Sequence, residues 1–161
     1  MVWFCRGIIL YRYIVKRNNK YGIINKKSKI IVPFEYDEIS NRNRYGENQH
    51  LVLKNGKKGI INSEGKIIIP IIYDNIYIDN ERLIKVKKNG LYGTINWKNE
   101  IIHPIKYTNI IWEPPYINGK RMDTVYLEYK GKYYASDLKG NVIDKPISKK
   151  TIIEKYGYLL Q

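Results

Sequence analysis

The sequence predicts an all-β fold of antiparallel hairpin and meander repeats stacked as an open array, and three observations carry that prediction. The stretch "YGIINKKSKIIVPFEYDEI" at 21–39 returns as "KGIINSEGKIIIPIIYDNI" at 58–76 and as "YGTINWKNEIIHPIKYTNI" at 92–110. The apolar runs within these stretches are short and β-branched, suited to strands and too brief for helices. The runs are separated by Asn, Gly and Lys at fixed offsets, which is turn chemistry. A small closed propeller-like ring is the alternative arrangement of the same units.

With Gly22, Gly59 and Gly93 as anchors, a proline follows 11 residues later each time (Pro33, Pro70, Pro104). A tyrosine follows after 14 (Tyr36, Tyr73, Tyr107) and an isoleucine after 17 (Ile39, Ile76, Ile110). A fourth, decayed copy starts at Tyr134, where "KGKYYASDLKGNVIDKPIS" keeps only the first half of the pattern. Before each anchor stands a candidate strand: "YIVKR", "LVLK", "LIKVKK" and "VYLEYK". Each meets Asn18-Asn19, Asn55-Gly56, Asn89-Gly90 or Lys130-Gly131, and Asn-Gly between apolar runs is a strong hairpin signal. Three residues past the anchor stand Asn25, Asn62, Asn96 and Asp137, and three further on Ser28, Gly65, Asn99 and Gly140. An Asn or Asp that caps a type I turn, followed by a residue tolerant of the left-handed region, predicts a hairpin with a bulged loop. Each unit then reads as a meander of about three strands, with the proline closing the third because it cannot donate to a ladder. The units fall at about 11–40, 50–79, 82–112 and 123–148 of a single domain, 1–161. The C-terminal "SKKTIIEKYGYLLQ" is expected to cap the array as a strand or short helix, since terminal repeats seal such stacks.

The motif G-x-I-N-x-x-G-K-I-I-x-P-x-x-Y-D resembles the WG-repeat (KWG-repeat) family of bacterial β-repeat proteins. Its carriers are Gly22, Asn25, Ile30, Ile31, Pro33, Tyr36 and Asp37, then Gly59, Asn62, Gly65, Lys66, Pro70, Tyr73 and Asp74, then Gly93, Asn96, Pro104 and Tyr107. The resemblance spans roughly 11–143. Where the family has a tryptophan before the glycine, this chain has Tyr21, Lys58, Tyr92 and Tyr133. The resemblance implies binding and interaction rather than a shared reaction.

Composition narrows function further. The 161 residues are 43% hydrophobic and 27% charged, ordinary for a globular chain. Cys5 is the only cysteine and His50 and His103 the only histidines, too few for a cysteine-based zinc site or an intramolecular disulfide. No apolar run approaches the roughly 20 residues of a membrane span, and Arg6, Arg12 and Arg17 interrupt the apolar N-terminal stretch. A soluble, cytoplasmic protein is expected. The net charge of +14 invites a polyanionic partner. Yet Ile, Lys, Asn and Tyr, all with A- and T-rich codons, supply 83 of 161 residues, so a low-GC genome would raise the charge unaided.

Asp37 and Asp74 occupy one repeat position, which favours a role beside a turn over acid–base work. His103 takes the place of Val32 and Ile69, as a tolerated substitution would, and His50 has only Glu47 near it in sequence. No phosphate loop, nucleophile elbow or dinucleotide fingerprint is present. No enzyme, cofactor or metal is implied. The inter-repeat insertions "SNRNRYGENQH" and "IWEPPYINGKRMD" remain as sites. Insertions at equivalent points of a repeat array emerge on one side. Arg42, Arg44, Tyr45, Trp112, Tyr116, Lys120 and Arg121 there combine cations with aromatics, as interface anchors do. The expected function is a protein-binding module, for instance an inhibitor or accessory of the immunity or anti-defence kind, with an acidic partner. The alternative is RNA or DNA binding through the phosphate backbone.

Overall fold

A computed structural model describes residues 12–41, 49–78, 83–112, 116–117, 120–121 and 123–156. The chain forms two compact units, residues 1–71 and 72–161. The first holds a three-stranded sheet of β1 (Arg12–Arg17), β2 (Lys20–Asn25) and β3 (Ile30–Tyr36) in that order. Its other sheet is built from β4 (Glu38–Asn41), β5 (Gln49–Lys54), β6 (Lys57–Asn62) and β7 (Ile67–Tyr73), whose last residues pass into the second unit. In the second unit, β8 (Asn75–Ile78), β9 (Ile84–Lys88), β10 (Leu91–Ile95) and β11 (Ile101–Tyr107) form one sheet. The next takes β12 (Asn109–Trp112), then β15 (Thr124–Tyr129), β16 (Lys132–Asp137) and β17 (Ile147–Ser148). The hairpin β13 (Tyr116–Ile117) and β14 (Lys120–Arg121) interrupts it, and helix α1 (Lys149–Tyr156) follows.

The all-β repeat is as the sequence predicts, with one strand more than expected in each of the later sheets. The residues after each Tyr-Asp or Tyr-Thr step form a further strand, and it pairs with the first strand of the next copy. Glu38 to Asn41 lies against Leu53 to His50, Asn75 to Ile78 against Lys87 to Ile84, and Asn109 to Trp112 against Glu128 to Val125. The sheet boundary is therefore displaced from the sequence repeat: every copy lends a strand to its successor. The prolines also differ from expectation. Pro33, Pro70 and Pro104 sit inside β3, β7 and β11 and do not end them. These are edge strands, where a missing N–H costs no ladder bond. In β3 the register runs Tyr21↔Tyr36 and then Ile23↔Val32, and β11 repeats this with Tyr92↔Tyr107 and Thr94↔His103. The proline thus lies in a bulge, where two steps on one strand meet four on the other.

Both turns of the copy follow from local chemistry. Asn18-Asn19, Asn55-Gly56, Asn89-Gly90 and Lys130-Gly131 all have positive φ at both positions, the two-residue type I′ hairpin that matches strand twist. At the opposite end, Oδ1 of Asn25, Asn62, Asn96 and Asp137 accepts two backbone N–H bonds, from the residues two and four places on. Ser28, Gly65, Asn99 and Gly140 then take the left-handed conformation, each donating its N–H back to the Asn or Asp carbonyl. Four copies share one turn, down to individual hydrogen bonds.

The anchor glycine has a steric cause. A Cβ on Gly22, Gly59 or Gly93 would stand 2.7, 2.8 or 2.7 Å from the carbonyl oxygen of Val32, Ile69 or His103 on the bulged strand, closer than any side chain tolerates. In the fourth copy β17 pairs only with Lys132 and Tyr133. With no bulged strand against it, the position accepts Tyr134.

In the first unit Ile23, Val32, Tyr36, Ile39, Val52 and Ile61 form one buried cluster. In the second, Leu83, Tyr107, Ile110, Trp112, Val125 and Leu127 form one, and Ile111, Tyr126, Tyr133, Ala135 and Ile152 another. Ile152 is the residue through which α1 closes the last sheet; it is fully buried, while Ile153 beside it is exposed. The Ser148 hydroxyl accepts the Thr151 N–H at 3.1 Å and caps the helix start. The expected C-terminal cap is thus a helix. Leu159 and Leu160 lie outside the described residues.

Candidate interaction surface

Antiparallel order divides each sheet into two ends. The type I′ turns and the Tyr-Asp steps lie at one, the turn end. At the other, the loop end, lie the Asn- or Asp-capped turns and the strand ends flanking the insertions, such as Asn41 with Gln49 and Trp112 with Thr124. The loop end carries a feature repeated in all four copies. Ile30, Ile67, Ile101 and Val142, each eight residues past its anchor, are 46%, 53%, 65% and 58% exposed. Burial drives folding, so these β-branched residues serve the fold through strand propensity and not through burial, which leaves their apolar surface in water at one repeat position four times over. Beside these residues stand the exposed lysines Lys26, Lys27, Lys29, Lys66, Lys98 and Lys139.

The insertion candidates divide three ways. Arg42, Arg44 and Tyr45 lie outside the described residues. Tyr116, Lys120 and Arg121 are brought together in the β13–β14 hairpin, where Tyr116 faces Arg121 and Ile117 faces Lys120 across the strands. Trp112 differs from expectation. It ends β12 opposite Val125 and is only 9% exposed, packed into the core, because β12 belongs to a sheet and not to a loop. Its indole N–H is buried with no hydrogen-bond partner among the described residues.

The carboxylates and histidines weighed for catalysis are engaged in the frame. Asp37 Oδ2 accepts the N–H of Asn55 at 2.7 Å, in the type I′ turn of the next copy, and its other oxygen takes the Lys20 ammonium. Asp74 reaches Gly90 N–H in the same manner at 3.4 Å. The Lys20 hydrogen bond, with that of Asn55, holds the Asp37 carboxyl below the usual carboxylate range. His103 is fully buried between Thr94 Oγ1 at 2.6 Å and Ser136 Oγ at 2.9 Å. Ser136 spends its own proton on the Asn141 carbonyl at 2.9 Å, so Nε2–H of His103 donates to Ser136 and Nδ1 accepts from Thr94. Burial lowers the His103 pKa, opposed by nearby Asp137. The equivalent positions in the first unit are Ile23, Val32 and Ile61, all apolar and buried. A hydrogen-bonded trio has replaced an aliphatic one as a set. His50 is similarly buried against Ser63 Oγ at 3.0 Å, with no partner for Nδ1 among the described residues and its pKa lowered by burial. Among the described residues no group of three or more His, Cys, Asp or Glu is placed to hold a metal. Tyr36, Tyr73 and Tyr107 are buried, and burial raises each hydroxyl's pKa, as expected of packing residues.

The family model described as a WG containing repeat matches residues 21–43 and 59–92, the first two copies of the frame and the start of the third. Those two segments carry WG repeats. No curated protein matches it. Among solved structures it is similar to "KlHsv2 with loop 6CD replaced by a Gly-Ser linker", at 14% identity and a TM-score of 0.44. The similarity covers 80% of this chain and 46% of that one, so this chain spans under half of the structure it matches. No helix among the described residues is long and apolar enough to cross a membrane.

One surface of the second unit follows only from the strand register. In the second unit, lysine ammonium groups lie over tyrosine rings at the turn end: Lys87 over Tyr92 at 5.1 Å, Lys106 over Tyr107 and Tyr129 at 5.5 and 5.4 Å, and Lys130 over Tyr129 at 5.4 Å. Tyr107 and Tyr129 meet edge to face, 6.3 Å between centroids. Further down the sheet, Lys85 lies between Tyr77 and Tyr92 at 5.0 and 5.9 Å and donates to the Ile110 carbonyl. The first unit has counterparts in Lys16 with Tyr21 and Lys54 with Tyr36. Cross-strand partners such as Lys87 and Tyr92 share a face, so period-two alternation combined with a hairpin register was the signal available in the sequence.

Proposed function

We propose that the chain is a non-enzymatic protein-binding module whose loop end holds an acidic protein partner with apolar side chains of its own. The observation that carries this reading is an exposed aliphatic residue at one repeat position beside turn lysines, Ile30 and Ile67 in the first unit and Ile101 and Val142 in the second. Aliphatic knobs in turns that carry lysines together with Glu64 and Glu100 suit a protein surface, since a phosphate backbone uses the positive charge and leaves the aliphatic groups unsatisfied. The frame supports the non-enzymatic part. Its carboxylates cap turns and its buried His103 is hydrogen-bonded on both nitrogens, so these groups serve architecture. Inhibitor or accessory action, in which the loop end covers a partner's working surface, is the form of binding that such a scaffold would perform in the cytoplasm. The β13–β14 hairpin adds Tyr116, Lys120 and Arg121 at this end.

The test is affinity capture from the source cell at near-physiological salt, with wild-type protein and an I67K/I101K variant. Exposed positions tolerate such changes within about 0.5 kcal/mol of stability. A defined acidic partner retained by the wild type and lost by the variant is the expected result. Equal retention by both, or no protein partner at all, would overturn the reading.

A further inference from the structure

The turn end of the second unit differs in chemistry from the loop end. Lys87, Lys88, Lys106, Lys130 and Lys132 gather there by strand order, with Tyr92, Tyr107 and Tyr129 between them. Two carboxylates share this end and both are engaged. Asp74 accepts Gly90 N–H, and Glu128 is hydrogen-bonded to the Tyr133 hydroxyl. Lys87, Lys106 and Lys130 face rings, and none of them has a carboxylate partner among the described residues. Cations held over aromatic faces keep their charge and lose side-chain freedom, so an incoming anion finds them already ordered. Tyr92 and Tyr129 are half-buried, each packed on the core cluster of the second unit and against a neighbouring ring, Tyr77 or Tyr107, with the remainder of the residue in water.

We propose that this row is a binding site for single-stranded nucleic acid, with phosphates on Lys87, Lys106 and Lys130 and bases against Tyr92 and Tyr129. Charge alone would fit any polyanion. The interleaved, partly open rings single out a ligand that carries a flat π-face beside each phosphate, since base stacking on aromatic side chains is sequence-tolerant and adds to the phosphate contacts. An acidic peptide offers nothing to the rings. The site is independent of the loop-end reading: it lies at the opposite end of the sheets and shares no residue with it.

Fluorescence polarisation of a labelled oligouridylate tests the proposal on the full chain. Three phosphate contacts predict a log K versus log salt slope of about −2. K87A/K106A/K130A is expected to weaken binding at least tenfold and flatten that slope. Y92L and Y129L should each weaken it about fivefold or more at unchanged slope, while I67K/I101K leaves it intact. Because Tyr129 packs on Tyr107, the exposed pair K106A/K130A provides a variant whose folding is not in question. Four results would each overturn the assignment: no binding at low salt, full binding by the lysine variants, indifference to the tyrosine variants, or equal competition by polyglutamate.

Discussion

Replacing His103 by valine restores the residue found at the equivalent position of the first copy, Val32, yet the substitution should destabilise the protein. Thr94 Oγ1 has His103 as its hydrogen-bond partner at 2.6 Å and would be left buried without one. Ser136 would lose the Nε2–H donor but keep its bond to the Asn141 carbonyl. Two hydrogen bonds at about 0.5–1.5 kcal/mol each, plus a stranded hydroxyl at about 1–3 kcal/mol, place the loss at about 2–6 kcal/mol. The triple variant T94I/H103V/S136I recreates the whole Ile23–Val32–Ile61 arrangement and should recover more than half of that loss, a strong non-additivity for side chains in contact. Urea denaturation followed by tryptophan fluorescence in a W3F background reads the second unit, which contains the other two tryptophans, Trp97 and Trp112. H103V as stable as wild type, or a triple variant no better than H103V, would refute the claim that the three residues were exchanged as a set.

Stability should also fall on mild acidification. His50 and His103 have pKa values lowered in the fold by burial, so the unfolded chain binds their protons first, and stability present above about pH 6.5 is lost as pH falls towards the folded values. Thermal melts between pH 7.5 and 5 check this, and T94I/H103V/S136I should show a shallower dependence. Asp37 and Asp137, held below the usual carboxylate range by their hydrogen bonds, add a further loss only as pH drops below about 4. Gly59→Ala should cost about 1–3 kcal/mol through the clash with Ile69 and Ile71, whereas Tyr134→Ala at the equivalent site of the last copy meets no bulged strand; paired chemical-denaturation curves compare the two.

Features whose cause is local were legible in the sequence. Asn25, Asn62, Asn96 and Asp137 each bond backbone groups within four residues, and the type I′ turns need only their own two residues. The anchor glycine marked the repeat, but its steric cause did not show in the sequence, since the carbonyl it meets lies ten residues away on the bulged strand. What escaped depends on pairing across copies. The strand after each Tyr-Asp step is four residues long and finds its partner beyond an insertion, so no periodicity announces it. Pro33 read as a terminator because a ladder bond was assumed where an edge strand needs none. Trp112 read as a loop residue because β12 is followed at once by an insertion. The lysine–tyrosine row became visible only with the register, and the exposed row at Ile30, Ile67, Ile101 and Val142 only with burial, since sequence alone makes all four look like core.

Amide hydrogen exchange of the chain with and without its captured partner tests most directly whether recognition belongs to the loop end. Added protection should appear in the segments around Ile30, Ile67, Ile101 and Val142, with the type I′ turns at Asn18-Asn19, Asn55-Gly56, Asn89-Gly90 and Lys130-Gly131 unchanged. Protection confined to those turns, with the four aliphatic segments exchanging as in the free chain, would contradict it.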